Sequence, residues 1–215
     1  PPSPIEATCG PAPQETQYNV LLYVLDTVRA DHLGFYGYVR DTTPFLSQLA
    51  TEGVAWSGYH SASTWTWPSV SSLLTGMTAM THRTIERNFS IHPGWPTLPE
   101  VLKAEGYTTA LVTSNRTLTW GGKTDGLFDY AFAQVRPDQN LTDKLEQLLR
   151  DPSSRPFFIH AQPYAAHSPY EVEAPWDSLF IDDPYYGALG DVPRINPNSS
   201  CVGGIKESVV IDGIT

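Results

Sequence analysis

Positive charge is scarce in this chain. Thirteen Lys and Arg stand against 23 Asp and Glu, a formal charge of −10 at pH 7, and the basic residues form no cluster. Nucleic-acid binding needs a basic footprint, so that class is excluded. A small anionic ligand is not excluded, provided a metal ion locally reverses the field. Long apolar runs are also missing. None approaches the roughly 20 residues of a membrane-spanning helix, and no secretory signal pattern is visible. Cysteine is limited to Cys9 and Cys201. They allow at most one disulfide, tying the N-terminal arm to the tail, or stand as two separate thiols. Four Asn-x-Ser/Thr sequons, at Asn88, Asn115, Asn140 and Asn198, matter only in a glycosylating host.

What is present is enough for a core. The chain has 215 residues, of which 40% are hydrophobic and only 17% charged, as expected for one globular domain. Residues 1–17, with Pro1, Pro2, Pro4, Pro11 and Pro13, read as a flexible arm; ordered structure is expected over 18–215.

The run Val20–Leu25 predicts a strand buried on both faces of a parallel sheet. Thr43 as cap, Pro44 in the first turn and Phe45, Leu46 and Leu49 on one face predict a helix that Gly53 closes. Thr97 and Glu100 form a capping-box pattern ahead of Val101 and Leu102, and Gly106 ends that helix. Tyr107–Thr113 reads as a strand, Leu141, Leu145, Leu148 and Leu149 as a helix, and Pro156–His160 as a further strand. Strands alternating with helices predict an α/β fold with a mostly parallel sheet flanked by helices. The tail from Asp182 gives no pattern. In open parallel sheets ligands sit beyond the carboxyl ends of the strands. Asp26, Ser114, Asn115 and His160 all fall at such ends.

The segment Thr64-Trp65-Thr66-Trp67-Pro68-Ser69-Val70 through Gly76 carries the most chemistry. Pro68 is suited to a first helical position, which puts the Thr66 hydroxyl at a helix N-terminus that favours an anion. A hydroxyl there is a candidate nucleophile or an ordinary helix cap. Asp26, in Leu25-Asp26-Thr27-Val28-Arg29-Ala30-Asp31-His32, offers a hard oxygen for Ca²⁺, Mg²⁺ or Mn²⁺ or simply caps a turn, with Asp31 paired to Arg29 on a solvated face.

In order along the chain, Asn19 to Gly37, Thr43-Pro44-Phe45-Leu46 through Glu52-Gly53-Val54, Thr66-Trp67-Pro68-Ser69 through Leu73-Leu74-Thr75-Gly76, and His82 resemble the N-terminal part of the sulfatase family of the alkaline-phosphatase-like superfamily. Leu98-Pro99-Glu100-Val101-Leu102 through Ala110, Pro156-Phe157-Phe158 and His167-Ser168-Pro169-Tyr170 extend the resemblance to Tyr170. It implies an alkaline-phosphatase-like (sulfatase-like) fold and an exported ester hydrolase, periplasmic or extracellular. Asp26 matches a metal ligand. Thr66 matches the catalytic nucleophile, which also touches the metal, and His167 the histidine that assists the leaving oxygen. Ser69 beside Pro68, and Asn115 and His160 at the strand ends, are the candidate substrate-binding residues. A divalent ion is implied, with Ca²⁺ first and Mn²⁺, Mg²⁺ or Zn²⁺ as alternatives.

Four departures stand out. Thr66 occupies a position that is cysteine, converted to formylglycine, in most sulfatases, and threonine there is typical of phosphoryl-handling relatives. Thr27 replaces a second Asp ligand, and Val70 replaces the arginine that follows the Pro-Ser pair. Where many members carry Gly-Lys and a histidine, this chain has Thr113-Ser114-Asn115. The later Asp-His/Asn-Gly ligand group is also absent, since Val209–Gly213 lacks the middle ligand. The expectation is therefore an incomplete domain, 18–215 being the N-terminal portion, with a companion polypeptide or a C-terminal half supplying the second metal ligands. Sulfate and phosphate esters both remain open as substrates. So do a phosphoethanolamine- or phosphoglycerol-type transferase and a non-catalytic binding protein.

Overall fold

Phe157–Gln162 is the most deeply enclosed segment of the chain, with all six residues buried. Its alternating side chains feed two separate cores, as a strand covered on both faces requires. The computed structural model describes residues 17–119, 123–133, 138–167, 174–176 and 179–180. Cys9, Cys201, the Val209–Gly213 turn and nearly all of the proline-rich arm lie outside them. The chain divides into two units, Pro1–Tyr164 and Ala165–Thr215; the elements below belong to the first.

Four strands, β1 (Val20–Tyr23), β2 (Thr108–Thr113), β3 (Tyr130–Ala133) and β4 (Phe157–Gln162), form one sheet in the order β1-β4-β2-β3. Every pairing is parallel, with Leu22 opposite His160 and Thr113 opposite Gln162. Helices α1 (Pro44–Glu52), α2 (Thr66–Thr75), α3 (Ala79–His82), α4 (Leu98–Ala104) and α5 (Asp138–Arg150) complete the fold. The mostly parallel α/β architecture matches the sequence-based expectation. The strand β3 was not anticipated, because four residues are too few for periodicity to mark.

On one face Phe158 and Leu111 pack with Trp67, Val70 and Leu74 of α2 and with Leu118 and Phe128. On the other, Phe157, Ile159, Ala161, Ala110 and Val112 pack with Leu141 and Leu145 of α5, and Leu148 and Leu149 flank them. Burying side chains of this size contributes roughly 1.5–3 kcal/mol each. The capping box of α4 is formed: the Glu100 carboxylate accepts from the Thr97 N–H at 3.0 Å and from its hydroxyl at 2.6 Å. Leu102 packs on the core while Val101 stays half exposed.

The expected two-sided burial of the first strand is not found. β1 pairs only with β4, at the end of the sheet, and Leu21 and Tyr23 remain 42% and 46% exposed. A strand in that position has one hydrogen-bonding edge in use, and of its side chains Leu22 alone is partly buried, against the Trp67–Phe158 core. On the apolar side of α1, Phe45 and Leu49 are likewise 71% and 50% exposed, while Leu46 is partly buried. Thr43 does not cap α1 through its side chain. Its hydroxyl instead accepts the Gly34 N–H at 2.9 Å. Among the described residues no helix is long and apolar enough to cross a membrane.

Candidate active site

Asp26 sits in the turn that leaves β1, just beyond the Val24 N–H···O=C Ala161 bond that prolongs the ladder. Thr27 follows with φ of 61°, the left-handed region that a β-branched residue seldom adopts. Such a conformation costs on the order of 1–3 kcal/mol and persists where the surroundings impose it, typically at a working site.

Three side chains from three other parts of the unit converge on one oxygen of Asp26. Its Oδ2 accepts from the Thr66 hydroxyl at 3.1 Å, from Asn115 Nδ2 at 2.6 Å and from Gln162 Nε2 at 3.0 Å. The other oxygen, Oδ1, has no hydrogen bond among the described residues. The donors are neutral, so they orient the carboxylate without cancelling its charge.

Each partner is held from behind. Thr66 is the first residue of α2, after an extended Trp65. Pro68 therefore stands third in the helix, not first as its residue type predicts, still within the turn whose N–H groups have no intrahelical acceptor. Trp67 anchors that turn: it is fully buried, and its Nε1–H donates to the Phe89 carbonyl at 2.7 Å. Gly76 ends α2 at φ of 68°, where glycine carries no steric cost. Asn115 is 2% exposed. Its Oδ1 accepts the Thr117 N–H at 2.9 Å, which leaves its NH₂ for Asp26. Gln162 ends β4, and its backbone carbonyl accepts from the Thr113 hydroxyl at 2.9 Å.

The remaining sequence-predicted residues lie in other settings. Ser69, one turn along α2 from Thr66, shares a hydrogen bond with Ser61 at 2.8 Å. His160 is fully buried in β4, with Nε2 3.2 Å from Gln162 Oε1. Burial pushes its pKa down to about 4, so it is neutral near pH 7. It meets Asp26 only through Gln162. His167 lies in the second unit, in a partly buried bend. Arg29 and Asp31 form the expected exposed pair. Val70, at the position of the family's arginine, is 3% exposed and part of the core.

Sequence reading missed Gln162. Its signal was its place two residues after His160, on the same face of the strand. Lys123 was missed as well. It is 6% exposed, with Nζ 4.8 Å from the centre of the Trp67 ring, and burial followed by the nearby Arg87 charge lowers its pKa. The buried His82 is held between Ser72 Oγ, 2.8 Å from Nε2, and the Thr84 N–H, 3.0 Å from Nδ1.

Asp26 and Thr66 supply two hard oxygens of the kind a divalent ion takes. Among the described residues no group of three or more Asp, Glu, His or Cys gathers to hold a metal. Two such oxygens are too few to complete the coordination of a divalent ion.

The parallel α/β sheet with its flanking helices is the fold of the alkaline-phosphatase-like superfamily. The family model for sulfatases matches residues 18–187, and the chain belongs to the sulfatase family. Mouse arylsulfatase G is 34% identical over 103 residues, 45% of this chain and 19% of that protein. The C-terminal periplasmic domain of EcEptC from Escherichia coli, in complex with Zn, superposes with a TM-score of 0.59 at 19% identity over 74% of this chain and 47% of that one. The phosphonate monoester hydrolase of Agrobacterium radiobacter superposes with a TM-score of 0.62 at 18% identity, over 74% and 43%. The chain spans about a fifth of the length of the curated relatives it matches.

Proposed function

We propose that this chain carries the nucleophile half of a sulfuric or phosphoric ester hydrolase that works outside the cytosol. The observation that carries the reading is the Thr66 hydroxyl, at the start of α2 and 3.1 Å from Asp26 Oδ2. Thr66 Oγ1 attacks the sulfur or phosphorus of an anionic ester, a new oxygen–sulfur or oxygen–phosphorus bond forms, and the bond to the leaving oxygen breaks. The hydroxyl proton passes along its hydrogen bond to Asp26, and the leaving oxygen takes up a proton, the role that the family resemblance gives to His167. Ser69 contributes a polar contact to the substrate, and Asn115 acts on it through the Asp26 carboxylate that it holds. Water then releases the adduct.

Superfamily members generally use a divalent metal. Here Asp26 and Thr66 would hold it, with Ca²⁺ the ion best suited to oxygen ligands. A bound ion supplies a positive charge beside the nucleophile. Its other ligands would come from a companion polypeptide or from the remainder of a longer chain. The exposed apolar residues Leu21, Phe45, Leu49 and Trp56 are surface that such a partner would cover.

The test is hydrolysis of aryl sulfate and aryl phosphate esters with added Ca²⁺, Mn²⁺ or Zn²⁺, on the chain alone and together with its completing segment. Turnover that disappears in Thr66→Ala supports the reading, and absence of turnover in the completed protein with every metal refutes it. Threonine in place of cysteine favours a second reading, transfer of a phosphoethanolamine or phosphoglycerol group to an acceptor hydroxyl in place of water. Product analysis with a hydroxyl acceptor present separates the two. Core-packed Val70 and the part-built metal centre favour a non-catalytic binding protein, which would hold the anionic ester without turnover.

A further inference from the structure

A primary amide has two nearly isosteric ends, and only one of them suits a carboxylate. Gln162 turns its Nε2 to Asp26 Oδ2 at 3.0 Å, and the reverse orientation would set two acceptor oxygens against each other. On the far side of that amide stands His160, whose Nε2 is 3.2 Å from Gln162 Oε1. For the contact to be a hydrogen bond, Nε2 must carry the proton, because the amide oxygen only accepts. That choice leaves Nδ1 as a bare lone pair. In agreement, Nδ1 is buried and has no hydrogen-bond partner among the described residues. A fully buried imidazole with one orphaned nitrogen is a poor way to fill space between Phe128 and the sheet, where an aliphatic or phenyl side chain would serve. Its other nitrogen explains why it is there.

We infer that His160 is a positioning residue that acts on Asp26 through Gln162, keeping the amide nitrogen turned towards the carboxylate. The two residues are two apart on β4, so their side chains stand side by side on one face. The relay runs His160 Nε2–H to Gln162 Oε1, then Gln162 Nε2–H to Asp26 Oδ2. Asn115 is locked in the same manner by the Thr117 N–H. Both amides thus present only NH₂ groups to Oδ2, which leaves Oδ1 as the oxygen of Asp26 open to a ligand. The inference builds on the reading of Asp26 as a site residue, but its structural content is tested without activity.

The experiment is nitrogen-15 NMR of the whole chain at neutral pH. The expected result is His160 as the Nε2–H tautomer and a Gln162 side-chain amide whose two protons are well separated and protected from exchange. An Nδ1–H tautomer in the unaltered protein overturns the inference, and this measurement needs no variant. In His160→Phe the Gln162 amide protons should lose their separation and protection while the methyl signals of Ile159 and Val112 stay in place. An unchanged Gln162 amide in that variant also overturns it. If His160→Phe does not fold, Gln162→Leu replaces it: His160 should then lose its fixed Nε2–H tautomer, and an unaltered imidazole spectrum counts against the relay. Ester hydrolysis is read separately. Lost turnover with an intact relay condemns the hydrolase reading alone.

Discussion

The Thr66 hydroxyl donates to Asp26 Oδ2 at 3.1 Å across 40 residues of sequence. The bond joins the start of α2 to the turn beyond β1, and it is the geometric basis for treating Thr66 as more than a helix residue. Thr66→Ala should lower ester hydrolysis by at least about 10³-fold, the scale on which loss of a nucleophile is felt. Thr66→Ser should keep a measurable part of it. Thr66 is only partly buried, so thermal denaturation should move little in either variant.

Asn115 joins the Thr117 N–H to the Asp26 carboxylate from a position that is 2% exposed. Asn115→Ala leaves a buried donor and part of a carboxylate unsatisfied, which should cost about 1–3 kcal/mol. Denaturant titration against the unaltered chain measures it. A change below roughly 0.5 kcal/mol would mean that water replaces the amide.

Stability should fall in mild acid because of two buried histidines. Burial lowers the pKa of His82 and pushes that of His160 down to about 4. In the unfolded chain imidazole titrates near 6.5. Between about 6.5 and 4 the unfolded state therefore binds more protons, and stability declines as pH decreases. The contribution of His160 is complete above pH 6.5 and is lost progressively down to about pH 4, at up to roughly 1 kcal/mol per pH unit. His160→Phe should flatten that slope in denaturation curves taken between pH 4 and 7.

Val70 shows why a missing family residue is not simply restored. It is 3% exposed, packed with Trp67 and Leu74. Val70→Arg places an unpaired cation in that core and should destabilise the chain by about 3 kcal/mol or more, lowering the melting temperature without raising turnover. A Val70→Arg protein with unchanged melting temperature would show that position 70 can reach solvent.

Local pattern made much of the fold legible. The capping box at Thr97, the leucine spacing of α5 and the apolar strand before His160 each encode their element within a few residues, because period and cap chemistry act locally. The start of α2 was off by two residues, since a proline is tolerated anywhere in the first turn. The exposure of β1 was not legible, because an apolar run specifies a strand but not how many neighbours flank it.

By itself, the sequence determined a parallel α/β protein of the sulfatase family and the places of Asp26, Thr66 and Asn115 at strand and helix ends. Only the tertiary structure decided that these three meet, that Gln162 joins them, and that His160 lies beneath the site and touches Gln162, not Asp26. The reason is register and strand order: residues 40, 89 and 136 positions from Asp26 share one carboxylate oxygen because β4 lies between β1 and β2. No local periodicity carries that information.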